Sequence, residues 1–267
     1  MMSGLTMQAD LENLAQTLAT AWHEGATVAI PAADAAPRSR AEAFAIQDRM
    51  AEILGDRCVG WKVAAAVPAF LLMTGYDGPY VGRLFASRHH TSPVRLPAAM
   101  FARYKIECEF AFRFKAGVPA RREPYMRSEL EPVLVFHPGL EITGSRYDAV
   151  PGSRKLTVYD IIADNGAGGA YVEGAGIDDW GGIDFAALPI DARIDEGDSI
   201  REFTGEYRRD PMDILVETVN ELSGRGIDTS RGDLLTTGAL TLPTLMSAGQ
   251  TFVARFGDLA TLRVSFD

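Results

Sequence analysis

The sequence predicts an α+β fold, with a helical N-terminal lobe over residues 1–59 and a mainly β core over residues 60–267. Three observations carry this. Apolar residues recur at three- and four-residue steps before residue 59; short alternating runs broken by Gly, Pro and Asp dominate after Gly60; and one further helical stripe interrupts those runs near residues 212–222. With 267 residues, 47% of them hydrophobic, the chain can bury a substantial core.

Leu11, Leu14, Leu18, Ala21 and Trp22 form the apolar face of a first helix over about residues 5–23, and Gly25 is placed to end it. A second helix is predicted over 40–54. Ser39 is its N-cap, Glu42 the reaching-back partner of a capping box, and Phe44, Ile46, Met50, Ile53 and Leu54 its core side, with Gly55 as the stop. Strands follow at 60–65, 103–115 and 133–136. The interrupting helix starts where Asp210 can cap and Pro211 suits the first turn; Met212, Leu215, Val216, Val219 and Leu222 form its stripe before Gly224. Segments 233–237 and 251–266 return to strand, and no internal repeat is present.

The 36 acidic residues outweigh the 26 basic ones, for a formal net charge of -10. That balance argues against a nucleic-acid or anionic-membrane surface and favours a small-molecule partner, although a bound cation and a few local Lys or Arg residues could still draw a small anion into a cleft. Two cysteines, Cys58 and Cys108, are too few for a disulfide framework and fit a reducing compartment, so a cytoplasmic location is expected. The first 24 residues lack a basic cluster followed by an apolar run, so no signal peptide is read there, and no stretch reaches the roughly 20 apolar residues of a membrane span.

Between residues 103 and 115 the alternation is nearly complete. Tyr104, Ile106, Cys108, Phe110, Phe112 and Phe114 take one face; Arg103, Lys105, Glu107, Glu109, Ala111, Arg113 and Lys115 take the other. Glu107 and Glu109 therefore project side by side, about 7 Å apart along the strand, and can converge on one ion. Cys108 faces the aromatic side, which leaves an all-oxygen site. Four cations share the glutamate face, so the motif alone also fits an exposed strand laced with cross-strand salt bridges. Glu141, between Leu140 and Ile142 after an apolar run, is either a half-buried ligand or an edge residue in solvent. Three carboxylates with waters and a chelating ligand would satisfy a hard octahedral cation such as Mg²⁺ or Mn²⁺. Lys62, in Gly60-Trp61-Lys62-Val63-Ala64, has few charges around it; it is either a partly desolvated lysine with a lowered pKa or one that snorkels to solvent.

Taken together, these residues resemble the 2-oxopent-4-enoate hydratase and 4-oxalocrotonate decarboxylase group of the fumarylacetoacetate hydrolase superfamily. The resemblance spans most of the chain. It rests on Gly60-Trp61-Lys62-Val63, Gly82-Arg83-Leu84, Ile106-Glu107-Cys108-Glu109, His137-Pro138-Gly139-Leu140-Glu141-Ile142 with Ser145-Arg146, Ala163-Asp164-Asn165, and Thr236-Thr237-Gly238-Ala239-Leu240-Thr241. It implies a mixed β-roll core preceded by helices, a divalent metal on Glu107, Glu109 and Glu141, proton transfer by Lys62, and a 2-oxo acid or dienol as substrate, in the setting of aromatic catabolism. It also implies a homo-oligomer and a complex with the enzyme of a sequential pathway step. The chemistry implied is Lewis-acid stabilisation of an enolate.

Three departures gather around the implied site. Gly78 and Tyr80 stand where acids are common in that group, Gly144 stands where an Asp is usual, and Gly166-Ala167-Gly168-Gly169 replaces a stretch rich in small hydroxyl residues. They leave the metal set intact and remove candidates for the group that positions a water. The reaction therefore stays open between hydration or decarboxylation by a lyase, hydrolysis of an acylpyruvate-like C–C bond, and keto-acid binding without turnover. Asp164 and Asn165 are candidates for substrate contact or for a turn. Thr237 is a candidate for binding a substrate carboxylate or for ending a strand. The glycine-rich stretch lacks the Lys-Ser/Thr of a phosphate loop, and the four histidines, His23, His89, His90 and His137, suggest no zinc site or triad; His137 reads as structural.

Overall fold

The computed structural model describes residues 2–64 and 79–267, with side chains from residue 9 onward. In chain order the described helices and strands are α1 (Met2–Glu24), β1 (Val28–Ala29), α2 (Arg40–Leu54), β2 (Cys58–Ala64), β3 (Tyr80–Phe85), β4 (His89–Thr91), β5 (Val94–Leu96), β6 (Lys105–Phe114), α3 (Arg127–Leu130), β7 (Leu134–Thr143), β8 (Tyr147–Asp148), α4 (Val158–Ala163), β9 (Gly168–Glu173), β10 (Ile190–Ile194), α5 (Pro211–Gly224), β11 (Leu234–Ala239), β12 (Thr244–Leu245), β13 (Thr251–Phe256) and β14 (Ala260–Phe266). Among the described residues no helix is long and apolar enough to cross a membrane.

Helix boundaries follow the capping chemistry. The Ser39 side chain accepts from the Glu42 amide and Gly55, at φ 62°, closes α2 in the left-handed conformation. The Glu42 carboxylate reaches back to the Arg38 amide, one residue earlier than a capping box requires. Asp210 caps α5 as expected, accepting from the Met212 amide. A short helix, α4, was not expected among the strands; Thr157 and Asp160 form a capping box that starts it. The 251–266 segment is two strands joined by a tight turn, and Ala65, the last residue of the expected 60–65 strand, lies outside the described residues.

The fold is α+β with a mixed sheet, as the sequence predicts. The large sheet runs β3-β2-β11-β6-β7-β9-β4 with β12 alongside β6, and a second sheet runs β10-β13-β14-β5. β11 pairs parallel to β2 and antiparallel to β6. The even-numbered face of β6 looks into an aromatic core: Phe110 lies 5.0 Å from Phe185 and 5.6 Å from Phe136 between ring centroids, and Phe256 of the second sheet joins them. Cys108 is fully buried in that same core, as its parity predicts. Side chains of α1 and α2, including Leu14, Leu18, Phe44 and Met50, belong to it as well. Gln47 of α2 ties the helices to the sheet by donating to Val81 O at 2.9 Å and Ile162 O at 2.8 Å. The odd-numbered face of β6 looks the other way, and its chemistry differs.

Candidate metal centre

β6 and β7 run antiparallel with Glu107 opposite Glu141 and Glu109 opposite Gly139; β7 and β9 place Glu141 opposite Tyr171 and Gly139 opposite Glu173. Because residues two apart share a face, Glu107, Glu109, Glu141, Tyr171 and Glu173 all project from the same side of three neighbouring strands. One oxygen from each of Glu107, Glu109 and Glu141 lies within 4.8 Å of the others. All three side chains are buried, at 7%, 0% and 0% relative exposure. The exposed salt-bridge strand is thereby excluded for this part of β6, and so is a solvent edge for Glu141.

Among the described residues, neither oxygen of Glu109 nor of Glu141 meets a hydrogen-bond donor in good geometry. Lys62 is the cation that reaches them. Its Nζ forms an ion pair with Glu141 Oε1 at 3.0 Å and donates its hydrogen bond to Gly166 O at 2.9 Å. Three buried carboxylates against one ammonium are costly in a dry site. The cost appears in their titration. Burial and the neighbouring Glu141 push Glu107 up to about 8, against the pull of Lys62 and Lys105. Burial also raises Glu109 well above the ordinary carboxyl range, aided by Glu141 and Glu107, and burial raises Glu141 as well despite the nearby ammonium. Such a cluster of hard oxygens fits Mg²⁺ or Mn²⁺, whose two positive charges would take the place of the protons that the raised carboxyls hold.

Lys62 itself corrects one expectation. Burial alone would lower its pKa, but Glu141, Glu107 and Glu109 outweigh that and hold it above the ordinary lysine value. Its alkyl stem is enclosed by backbone. A Cβ at Gly82 would lie 3.2 Å from Lys62 Cδ and 2.2 Å from Asn165 O, and one at Gly166 would lie 3.4 Å from the same Cδ. The glycine-rich stretch after Asn165 thus forms the wall against which the lysine is held. Asn165, Gly166 and Ala167 all have positive φ, at 52°, 62° and 55°. Asn165 supports that turn by accepting from the Arg83 amide at 2.7 Å and donating to Arg83 O at 3.0 Å.

Asp164 and Asn165 are both engaged by neighbouring residues. Asp164 is fully buried, and its carboxylate accepts from Ser145 Oγ at 2.8 Å, from the Arg146 amide at 2.9 Å and from the Arg146 guanidinium. Asn165 is clamped to Arg83 on both its polar atoms. Asn165 acts on the backbone of Arg83, the turn role that Asn serves readily, while Asp164 anchors Ser145 and Arg146. Thr237 is buried in β11 and its hydroxyl donates to Phe110 O at 3.1 Å. The departure at Gly144 has a steric reason: a Cβ there would lie 2.1 Å from Arg103 O. Tyr80 is buried at 5% exposure, and Gly78 lies outside the described residues.

Sequence reasoning missed what lies beneath the glutamates. Tyr171 is fully buried, its hydroxyl lacks a hydrogen-bond partner among the described residues, and it fills the space left by Gly139, where a Cβ would sit 1.8 Å from Tyr171 Oη. Beyond it, Glu173 gathers His89 Nε2 at 2.8 Å, His137 Nδ1 at 2.7 Å and the Arg113 guanidinium. Burial would raise the Glu173 carboxyl, but hydrogen bonds from His137, His89 and Arg113 outweigh it and hold the group far below the usual range. His137 also contacts Gly174 O at 3.0 Å, in keeping with a structural role. The alternation Gly169, Tyr171, Glu173 was the available signal, but it is too short to assign a face by itself.

No family model matches the chain. A 2-keto-4-pentenoate hydratase from Paraburkholderia xenovorans (strain LB400) is 25% identical over 261 residues, covering 96% of this chain and 94% of that protein. A 4-oxalocrotonate decarboxylase from Pseudomonas putida G7, solved with magnesium and adipate, superposes with a TM-score of 0.85 at 19% identity, covering 97% of this chain and 98% of that one. A fumarylpyruvate hydrolase from Pseudomonas aeruginosa, in complex with Mn²⁺ and pyruvate, gives a TM-score of 0.54 at 17% identity over 79% of this chain and 89% of that one. The resemblance read from the motifs is borne out: the chain is similar to the hydratase and decarboxylase group of the fumarylacetoacetate hydrolase superfamily along its length and has the fold of that superfamily.

Proposed function

We propose that the chain is a divalent-metal-dependent lyase of the hydratase or decarboxylase type acting on a small 2-oxo acid or its dienol. The observation that carries the reading is the buried trio of Glu107, Glu109 and Glu141, with oxygens within 4.8 Å and one lysine against them. Those residues would hold Mg²⁺ or Mn²⁺. Bound there, the ion would supply Lewis-acid polarisation of a chelating carboxylate and 2-oxygen. Everything else falls to the protein. Lys62 Nζ, caged by Gly82 and Gly166 and directed by Gly166 O, carries the proton that moves to or from the substrate's carbon chain. Tyr171 closes the floor beneath the glutamates with an apolar ring and excludes water from that side. Thr237, on β11, is the candidate to bind the substrate carboxylate through its amide or hydroxyl.

The full-length similarity to hydratases and the extent of the structural match to the decarboxylase support a lyase over a C–C hydrolase, whose representative matches over 79% of the chain. Product analysis with Mn²⁺ tests the choice. One hydroxylated acid from a 2-hydroxydienoate means hydration, and CO₂ from an unsaturated 2-oxo diacid means decarboxylation. Two carboxylate fragments from an acylpyruvate would replace the lyase with a hydrolase. Metal-dependent oxalate binding with no turnover of any of these would leave a keto-acid-binding protein. The same reading brings with it a homo-oligomer, a cytoplasmic location, a role in aromatic catabolism and a complex with the enzyme of the adjoining pathway step; light scattering of the purified protein tests the first.

A further inference from the structure

The Tyr171 hydroxyl is a buried polar group that the proposed chemistry leaves unused. β6, β7 and β9 set Glu109, Gly139 and Glu173 side by side in one row, since Gly139 pairs with Glu109 on one flank and with Glu173 on the other. A Cβ at Gly139 would meet Tyr171 Oη at 1.8 Å, so the hydroxyl takes the side-chain position in the middle of that row. A glutamate stem stands about 5 Å away on either side, the spacing of facing side chains on paired strands. The ring lies among Val59, Leu84, Ala111 and Leu234, and the hydroxyl has no hydrogen-bond partner among the described residues. A buried donor left alone is rare and calls for an acceptor.

Of the two flanking carboxylates, Glu109 is the one with lone pairs to offer. Glu173 Oε1 is met by His137 Nδ1 at 2.7 Å and Arg113 Nε at 3.1 Å, and its Oε2 by His89 Nε2 at 2.8 Å and by Arg113 Nη2. Four donors fill the roughly four acceptor positions of a carboxylate and leave none for the phenol. Neither oxygen of Glu109 meets a donor in good geometry among the described residues. Burial, followed by the charges of Glu109, Glu173 and Glu141 in that order, pushes Tyr171 well above its ordinary value, so the group is a donor. On the other flank of Glu109 stands the Thr236 hydroxyl of β11, whose oxygen already accepts from the Val63 amide at 3.1 Å.

We propose that Tyr171 is a positioning residue that sets the metal preference of the site: its hydroxyl donates to one oxygen of Glu109 and leaves the other as the single oxygen with which Glu109 grips the ion. The inference rests on the reading that Glu107, Glu109 and Glu141 hold a divalent cation. Mg²⁺ takes six ligands in a near-ideal octahedron and needs one oxygen from each carboxylate, whereas Ca²⁺ takes six to eight and gains from a two-oxygen grip. With one Glu109 oxygen engaged by the phenol, Ca²⁺ loses a ligand that Mg²⁺ does not use. The hydrogen bond also fixes the orientation of the carboxylate before the ion arrives.

Isothermal titration of Mg²⁺ and Ca²⁺ into the metal-free wild type and Tyr171→Phe, at one pH, tests this without turnover. The phenyl ring keeps the packing and removes the donor. Mg²⁺ should bind the variant about tenfold more weakly and Ca²⁺ should lose less, so the ratio of the two affinities should move toward Ca²⁺ by at least about threefold. A second measurement decides the matter should Tyr171→Phe fail to fold. Infrared difference spectra with ring-¹³C tyrosine should show a tyrosine C–O band that shifts when Mg²⁺ binds; they are recorded in a Tyr80→Phe background, because Tyr80 also feels Glu141 and Glu107. An unchanged Mg²⁺ to Ca²⁺ ratio in the folded variant, or no tyrosine band in the difference spectrum, would overturn the role and leave the metal site in place. A wild type that binds neither ion would remove the proposed function, and this inference with it.

Discussion

Mn²⁺ titrated into the metal-free protein should bind more tightly as pH rises and should release protons as it binds. The perturbation is pH itself, and the magnitude comes from Glu107, pushed up to about 8 by burial and by Glu141. Metal ligation needs the carboxylate form, while the free protein below its raised pKa holds the proton. From a pKa of about 8, the ionised fraction is about one in a hundred at pH 6 and about one in two at pH 8, so the apparent affinity should climb about fiftyfold between them. Glu109, also raised by burial, adds to this in the same direction. Calorimetry in two buffers of different ionisation heat counts the protons directly. An affinity that is flat with pH, with no proton released, would refute the argument that the trio is buried and short of positive charge. Loss of binding in Glu109→Gln would locate the effect; equal binding by that variant would remove the site.

Four further outcomes follow from particular contacts. Lys62→Met should keep Mn²⁺ binding but lower turnover of a 2-hydroxydienoate by about a hundredfold or more, read by steady-state kinetics. Asn165→Ala removes two hydrogen bonds to Arg83 and puts a Cβ-bearing residue without a compensating side chain at φ 52°; it should cost roughly 2–3 kcal/mol by denaturant unfolding, and Asn165→Gly should cost less. Glu173 keeps its charge to lower pH folded than unfolded, so its contribution is present above the ordinary glutamate range and lost as pH falls through that range and below. Glu173→Gln should therefore lower stability by roughly 3 kcal/mol near neutrality, with the gap to wild type closing in acid. Gly139→Ala drives a Cβ to 1.8 Å from Tyr171 Oη and 2.3 Å from its Cζ and should destabilise by about 2 kcal/mol or more in thermal melts; adding Tyr171→Phe, which leaves Cζ in place, should not restore the loss.

Local signals carried well and long-range register did not. The two-residue alternation of residues 103–115 separated Glu107 and Glu109 from Cys108 and the phenylalanines, and the structure keeps that division. Ser39, Gly55, Asp210 and Pro211 marked helix ends because capping is a local bond. Nothing local shows that β7 places Glu141 opposite Glu107, or that Lys62, two strands away across β11, reaches the same carboxylates. Those facts depend on which strands pair. The burial of the glutamate face was also hidden, since Arg103, Lys105, Arg113 and Lys115 made it read as solvated; in the structure Arg113 turns to Glu173 and Lys105 stands at the end of the row. Lys62 shows the limit of reasoning from one cause: its burial was one of two open readings, and the three opposing charges that reverse the shift expected from burial were not legible.

The parity of β6 restricts how this chain can change over time. Single replacements along the strand alter one position on one side, whereas inserting or deleting one residue would exchange the two sides beyond that point, sending phenyl rings toward the carboxylate cluster and glutamates among Phe136, Phe185 and Phe256. Length variation among relatives should therefore accumulate in the connecting loops on either side and be absent between Lys105 and Phe114.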